Sequence, residues 1–75
     1  MEYTILIHQA EEGGFWSEVT ALPGCYSQGE TIDQTLQNTK EAIESHLIAL
    51  KEDLVAAPIE ESLFIGKVRV EVPGL

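Results

Sequence analysis

The sequence predicts an α+β domain of order β-β-β-α-β, with one long helix packed on one face of a four-stranded mixed sheet. Three observations predict it. Apolar and polar residues alternate through positions 3–28, a stripe with helical spacing runs through 32–54, and the alternation returns over 64–72. Period two marks a strand with one buried face, and a period near 3.6 marks a helix with one buried stripe. The 75 residues make a single domain, 1–75. A chain this short buries only about 60% of the surface its unfolded form exposes, and self-association is one remedy for so small a core.

The first strand is expected near Tyr3–His8, with Tyr3, Ile5 and Ile7 on one face and Thr4, Leu6 and His8 on the other. Glu11-Glu12-Gly13-Gly14 then supplies a hairpin, because paired glycines accept the positive φ that tight turns need. The second strand runs from Phe15 to about Leu22, placing Val19 on one face and Trp16, Glu18 and Leu22 on the other. Pro23-Gly24 reads as a type II turn, since proline fixes φ at its first central position and glycine suits the second. A short third strand, Cys25–Gln28, stops at Gly29.

Thr31 with Gln34 three residues on fits a capping box. Behind it Ile32, Leu36, Ile43, Leu47, Leu50 and Leu54 recur at mostly three- and four-residue steps, and the helix must stop before Pro58. The last strand is expected over Phe64–Val72, where Val68, Val70 and Val72 alternate with Lys67, Arg69 and Glu71. Because a long helix precedes it, it could cross over onto the same sheet, parallel to its neighbour.

Two surpluses follow. One helix covers one face of a sheet, so Leu6, Trp16, Leu22 and Ile65 are left on the other, and exposed apolar patches mark interaction sites. Tryptophan is among the residues enriched at interface hot spots. The helix, at about 35 Å, also outruns an eight-residue strand of about 27 Å. Leu50 and Leu54 then need cover from the segment after the helix or from another subunit, and a homo-oligomer (dimer or tetramer) is expected.

Thirteen Asp and Glu against four Lys and Arg give a net charge of −9. That charge repels phosphate backbones and steers cationic partners inward, so direct nucleic-acid binding is not expected. A lone cysteine, Cys25, rules out an internal disulfide. With no apolar run long enough for a membrane and no signal-like start, a cytoplasmic protein is expected. Cys25 and His8 are the obvious nucleophile and base, but they fall on strands two spacings apart, too far for a hydrogen bond. His46 reads as a half-buried helix residue, and Glu11-Glu12 as a solvated loop without a third metal ligand. No catalytic residue, metal site or cofactor is expected, and the chain does not read as an enzyme.

The run Phe15-Trp16 through Leu22-Pro23-Gly24-Cys25-Tyr26-Ser27-Gln28-Gly29-Glu30-Thr31, continued by Lys40-Glu41-Ala42-Ile43, resembles the HicB antitoxin family over nearly the whole chain. The resemblance implies a degenerate ribonuclease H-like fold without the catalytic acids. It also implies a protein that neutralises a small, basic, mRNA-cleaving HicA-like toxin by masking its active site and RNA surface. Many members carry a C-terminal DNA-binding module; none is expected within these 75 residues. Gly14, Pro23, Gly24, Cys25, Gly29 and Thr31 match the family pattern and have structural reasons of their own, as turns, a cap and a small buried thiol. The expected contact residues are Trp16 and Glu18 on the uncovered face, with Glu11, Glu12 and Glu30 as acidic surroundings. The alternative is a stand-alone homo-oligomeric domain of the same fold with a non-toxin protein or a small ligand as partner.

Overall fold

The structure is a computed structural model that describes residues 1–74. The described residues form strands β1 (Ile5–Gln9), β2 (Phe15–Val19) and β3 (Tyr26–Gly29), followed by helix α1 (Ile32–Glu52). The strands make an antiparallel sheet in the order β1-β2-β3. Ile5 stands opposite Val19 and His8 opposite Trp16, and on the other side of β2 Trp16 stands opposite Gln28. Side-chain parity then puts Ile5, Ile7, Ser17 and Val19 on the face under α1, and Leu6, His8, Trp16 and Glu18 on the face without a helix.

The β1–β2 connection is a three-residue hairpin loop in which Gly13 N–H donates to Ala10 O and Ala10 N–H to Gly14 O. Gly14 has φ +74°, and a Cβ there would lie 2.8 Å from Gly29 O, so conformation and space both demand glycine. At the far end Cys25 N–H donates to Leu22 O, closing the turn through Pro23 and Gly24.

The helix sits unusually close to the sheet at its start. A Cβ on Gly29 would lie 2.7 Å from the backbone nitrogen of Thr35, so only glycine admits the helix there. Small polar residues line that contact. Thr35 and Thr39 are fully buried; their hydroxyls donate to the carbonyls of Thr31 (2.7 Å) and Thr35 (2.5 Å), and Thr39 Oγ1 also pairs with Ser17 Oγ at 2.6 Å. Each hydroxyl therefore enters the core with a partner, which removes the cost of burying it. Further along, Ala42, Ile43 and Leu47 pack with Tyr3 and Ile5 on Val19, Leu22 and Cys25.

This corrects the expected stripe. Ile32 and Leu36 lie at the flank, 49% and 40% exposed, because backbone closeness at Gly29 leaves room only for threonine in the first turns. Leu22 is also corrected: β2 ends at Val19, and the hydrogen bond from Leu22 N–H to Val19 O turns the chain so that Leu22 points into the core, fully buried.

Thr31 caps the helix, accepting from Gln34 N–H at 3.0 Å. Gln34 reaches back to the N–H of Glu30, one residue before the expected partner. The other end closes as a Schellman motif: Val55 N–H bonds Leu50 O, and Leu54 N–H bonds Lys51 O. Leu54 occupies the left-handed position at φ +58°, where glycine is usual. The expected overhang of Leu54 is thus a turn rather than a further helical step.

The fourth strand is not part of this sheet. Past the helix, Tyr3 donates its hydroxyl to Pro58 O at 2.6 Å, and Glu60 accepts from Thr4 N–H (2.5 Å), Thr4 Oγ1 (2.8 Å) and Thr20 Oγ1 (3.3 Å). These bonds hold residue 60 across the end of the β1–β2 ladder, not beside β1. From 61 to 74 every residue is exposed, and among the described residues 53–74 contain no helix or strand. The sheet is accordingly three-stranded and antiparallel rather than four-stranded and mixed.

Candidate functional site

The uncovered face carries an aromatic cluster. His8 stacks on Trp16 with ring centroids 4.2 Å apart, and Tyr26 lies tilted at 6.4 Å on the other side of Trp16. The register produces this: His8 is directly opposite Trp16 across β1 and β2, and Tyr26 on β3 is the diagonal neighbour two residues off Gln28. Glu18, on the same face, holds His8 Nε2 through Oε2 at 2.8 Å. Trp16 remains 37% exposed and Tyr26 62% exposed, so the cluster is a fixed platform open to solvent.

The acidic residues divide into two groups. Glu18 lies within the platform. Glu11 and Glu12 project from the hairpin loop, exposed, at the end of the sheet where Gly29 and Glu30 lead into α1. There Glu12 and Glu30 line one open groove of about 510 Å³ with Phe15, Gln28, Gln34 and Asn38. Gln28, opposite Trp16 across β2 and β3, also lines this groove, whose other lining residues Phe15, Gln34 and Asn38 lie on the helix side of the sheet.

Of the expected contact residues, Trp16 and Glu18 are brought together on the platform, and Glu12 and Glu30 along the groove; Glu11 stands at the loop tip. Leu22 is withdrawn into the core. The residues that sequence reasoning undervalued are His8 and Tyr26. Their signal is present in the strand parity that places His8 beside Trp16, which a pairing of His8 with Cys25 as base and nucleophile passes over. The structure puts those two on opposite faces: Cys25 is buried in the core, where burial pushes its thiol pKa up, while His8 lies outside. Glu60 had no local signal at all. Its pKa lies below the ordinary glutamate value of 4.5, first because Thr4 N–H donates to it and then because the Thr4 hydroxyl does.

The chemistry of this surface suits cations. An indole and a phenol offer π faces to guanidinium or ammonium groups, and neighbouring carboxylates supply charge-assisted bonds. Among the described residues no three His, Cys, Asp or Glu side chains converge as a metal-binding group, and no helix is long and apolar enough to cross a membrane.

The sequence matches a family model described as the HicB-like antitoxin of bacterial toxin–antitoxin systems over residues 3–69. It is 36% identical to a UPF0150 protein of Archaeoglobus fulgidus over 72 residues, covering 96% of each chain. Against a UPF0150 protein of Synechocystis it is 42% identical over 69 residues, 92% of this chain and 94% of the other. A third relative, a UPF0150 protein of Thermoplasma acidophilum, is 44% identical over 52 residues, 69% and 75% of the two chains. A family match that spans all three strands, the helix and most of the segment after it settles the assignment: this chain belongs to the HicB-like antitoxin family.

Proposed function

We propose that this protein is an antitoxin that binds a small, basic, HicA-like mRNA-cleaving toxin and masks its active site and RNA-binding surface. The observation that carries the reading is the uncovered sheet face, where His8, Trp16 and Tyr26 form a solvent-open platform beside Glu18, with Gln28 leading from it to the Glu12–Glu30 groove on the helix side. A surface that binds RNA presents Lys and Arg, and a net charge of −9 steers such a surface inward and competes with RNA for it. Trp16 supplies the desolvated anchor and the carboxylates supply orientation and rate.

The reading is of a binding module in the cytoplasm, not a catalyst, acting as a homo-oligomer. The fold is taken as a cut-down ribonuclease H-like layout, in which the segment Phe64–Val72 is the remaining strand.

The test is titration of the protein with a HicA-like toxin, inactivated at its catalytic residue, across a range of salt. Trp16→Ala is expected to weaken binding at least tenfold with little change in salt slope. The triple change Glu11→Lys, Glu12→Lys and Glu18→Lys is expected to weaken it and to flatten the salt dependence. Unchanged affinity in both variants contradicts the reading.

A further inference from the structure

We propose that residues 63–72 are a strand that completes the sheet of a second copy of this chain, along the open edge of β1. The inference is independent of any toxin. It starts from an arm that is built like a strand but has nothing beside it. Phe64, Val68, Val70 and Val72 alternate with Ile65, Lys67, Arg69 and Glu71, and the four on the first side are 91, 87, 75 and 54% exposed. A row of β-branched residues left in water stabilises nothing.

The size of the surplus fits a protein–protein interface. A compact folded chain of 8.3 kDa exposes about 4,600 Å², whereas this chain exposes 6310 Å². The excess, about 1,700 Å², is roughly twice what one partner contributes to a standard interface. The radius of gyration agrees, at 15.6 Å against about 11 Å for a compact chain of this length.

Two edges of the sheet are available to receive a strand, and they are not equivalent. On β3 the carbonyl of Gln28 already accepts from Asn38 Nδ2 at 2.8 Å, a side chain of α1. On β1 the ladder to β2 runs through Thr4 and Ala10, which bond across at Thr20 and Gly14. Antiparallel alternation therefore turns the backbone groups of Ile5 and Ile7 outward, and among the described residues no strand lies beside them. Beside that edge a mainly apolar groove of about 270 Å³ opens between β1 and the helix, lined by Met1, Tyr3, Ile5, Ile43 and Leu47 together with Lys40 and Glu44. Leu36, seven residues before Ile43 on the same flank of α1, is 40% exposed. The helix thus overhangs the sheet on the side where one more strand would fit.

Parity and charge match the arm to that position. With Val68, Val70 and Val72 in the groove, Lys67 and Arg69 emerge on the outer face, on the side of the sheet that carries Glu18. The arm holds two of the chain's four cations and one of its thirteen carboxylates. Its own β1 is not the site occupied here, because Tyr3, Thr4 and Thr20 pin Pro58 and Glu60 at the end of the ladder. A second copy supplies the same edge without that constraint.

Sedimentation equilibrium of the full chain, with isotope-filtered NMR of a 1:1 mixture of labelled and unlabelled chains, tests this. The wild type is expected at twice 8.3 kDa or a higher multiple, with intermolecular contacts from the Val68 and Val70 methyls to Ile5, Ile43 or Leu47. V68D/V70D is expected to sediment as a monomer while keeping its helical circular dichroism. A monomeric wild type across micromolar concentrations overturns the proposal. So do contacts found only within one chain, or a V68D/V70D variant whose mass is unchanged. The wild-type NMR decides the matter should the variant unfold.

Discussion

β1 and the arm at 63–72 are written in nearly the same alphabet. Lys-Val-Arg-Val-Glu-Val alternates strictly, and Ile-Leu-Ile-His-Gln puts two isoleucines on one face and Leu6 and His8 on the other, so both offer one apolar face, the pattern of a half-buried strand. One is a strand and the other is an exposed extension. The difference lies outside either segment. β1 has a two-glycine hairpin that returns β2 to its side and a helix that covers its apolar face; the arm leaves a clamp at Glu60 that carries it past the edge of its own β1. A strand pattern states a willingness to pair, and topology decides whether a partner is present.

The contrast can be broken most forcefully with matched truncations. Leu22→Ala removes a fully buried side chain from the closed half and is expected to cost about 3 kcal/mol in urea unfolding at any protein concentration. Phe64→Ala, on the arm, is expected to cost almost nothing in dilute solution and progressively more as concentration rises. Equal and concentration-independent losses would erase the distinction between the two halves. A smaller effect tests the polar seam under the helix. Ser17→Ala strips Thr39 of one of its two hydroxyl partners and should cost about 1–2 kcal/mol, read by the same unfolding curves.

Leu54→Gly probes the boundary between the halves. Leu54 sits at φ +58° with its side chain in solvent, and glycine there should raise stability by about 1 kcal/mol, measured as a higher urea midpoint. The finest effect is one of pH. The folded Glu60 carboxyl titrates below its ordinary 4.5, so in acid the unfolded chain binds a proton more readily than the folded one. Its stabilisation is therefore full above about pH 4.5 and is lost as pH falls through the folded value. Glu60→Gln should remove that part of the acid slope in pH-dependent unfolding, and an unaltered slope would show that the clamp contributes nothing.

The element order through α1, the Thr31 cap and the turn at Pro23-Gly24 were legible because each rests on local chemistry: a period, a hydroxyl, a ring. Trp16 and Glu18 on the uncovered face were legible for the same reason, since parity alone puts them together. What the residues did not disclose depends on distance between elements. Thr35 and Thr39 look like surface threonines until Gly29 brings the helix within contact of the strand, and apolar spacing then points to the wrong flank at Ile32 and Leu36. Leu22 follows the alternation of β2 on paper, yet the strand stops three residues earlier. Glu60 carries no pattern of its own; its role exists only because the chain returns to Thr4 after more than fifty residues.

Residue-resolved amide exchange at low and high protein concentration reaches the central point most directly, namely that this fold is finished everywhere except along the outer edge of β1. Leu6 and His8, whose backbone groups face β2, should exchange slowly at every concentration. Ile5 and Ile7 should exchange quickly when dilute and slow down as the chain concentrates. Fast exchange at Ile5 and Ile7 throughout, or slow exchange even at high dilution, would contradict it.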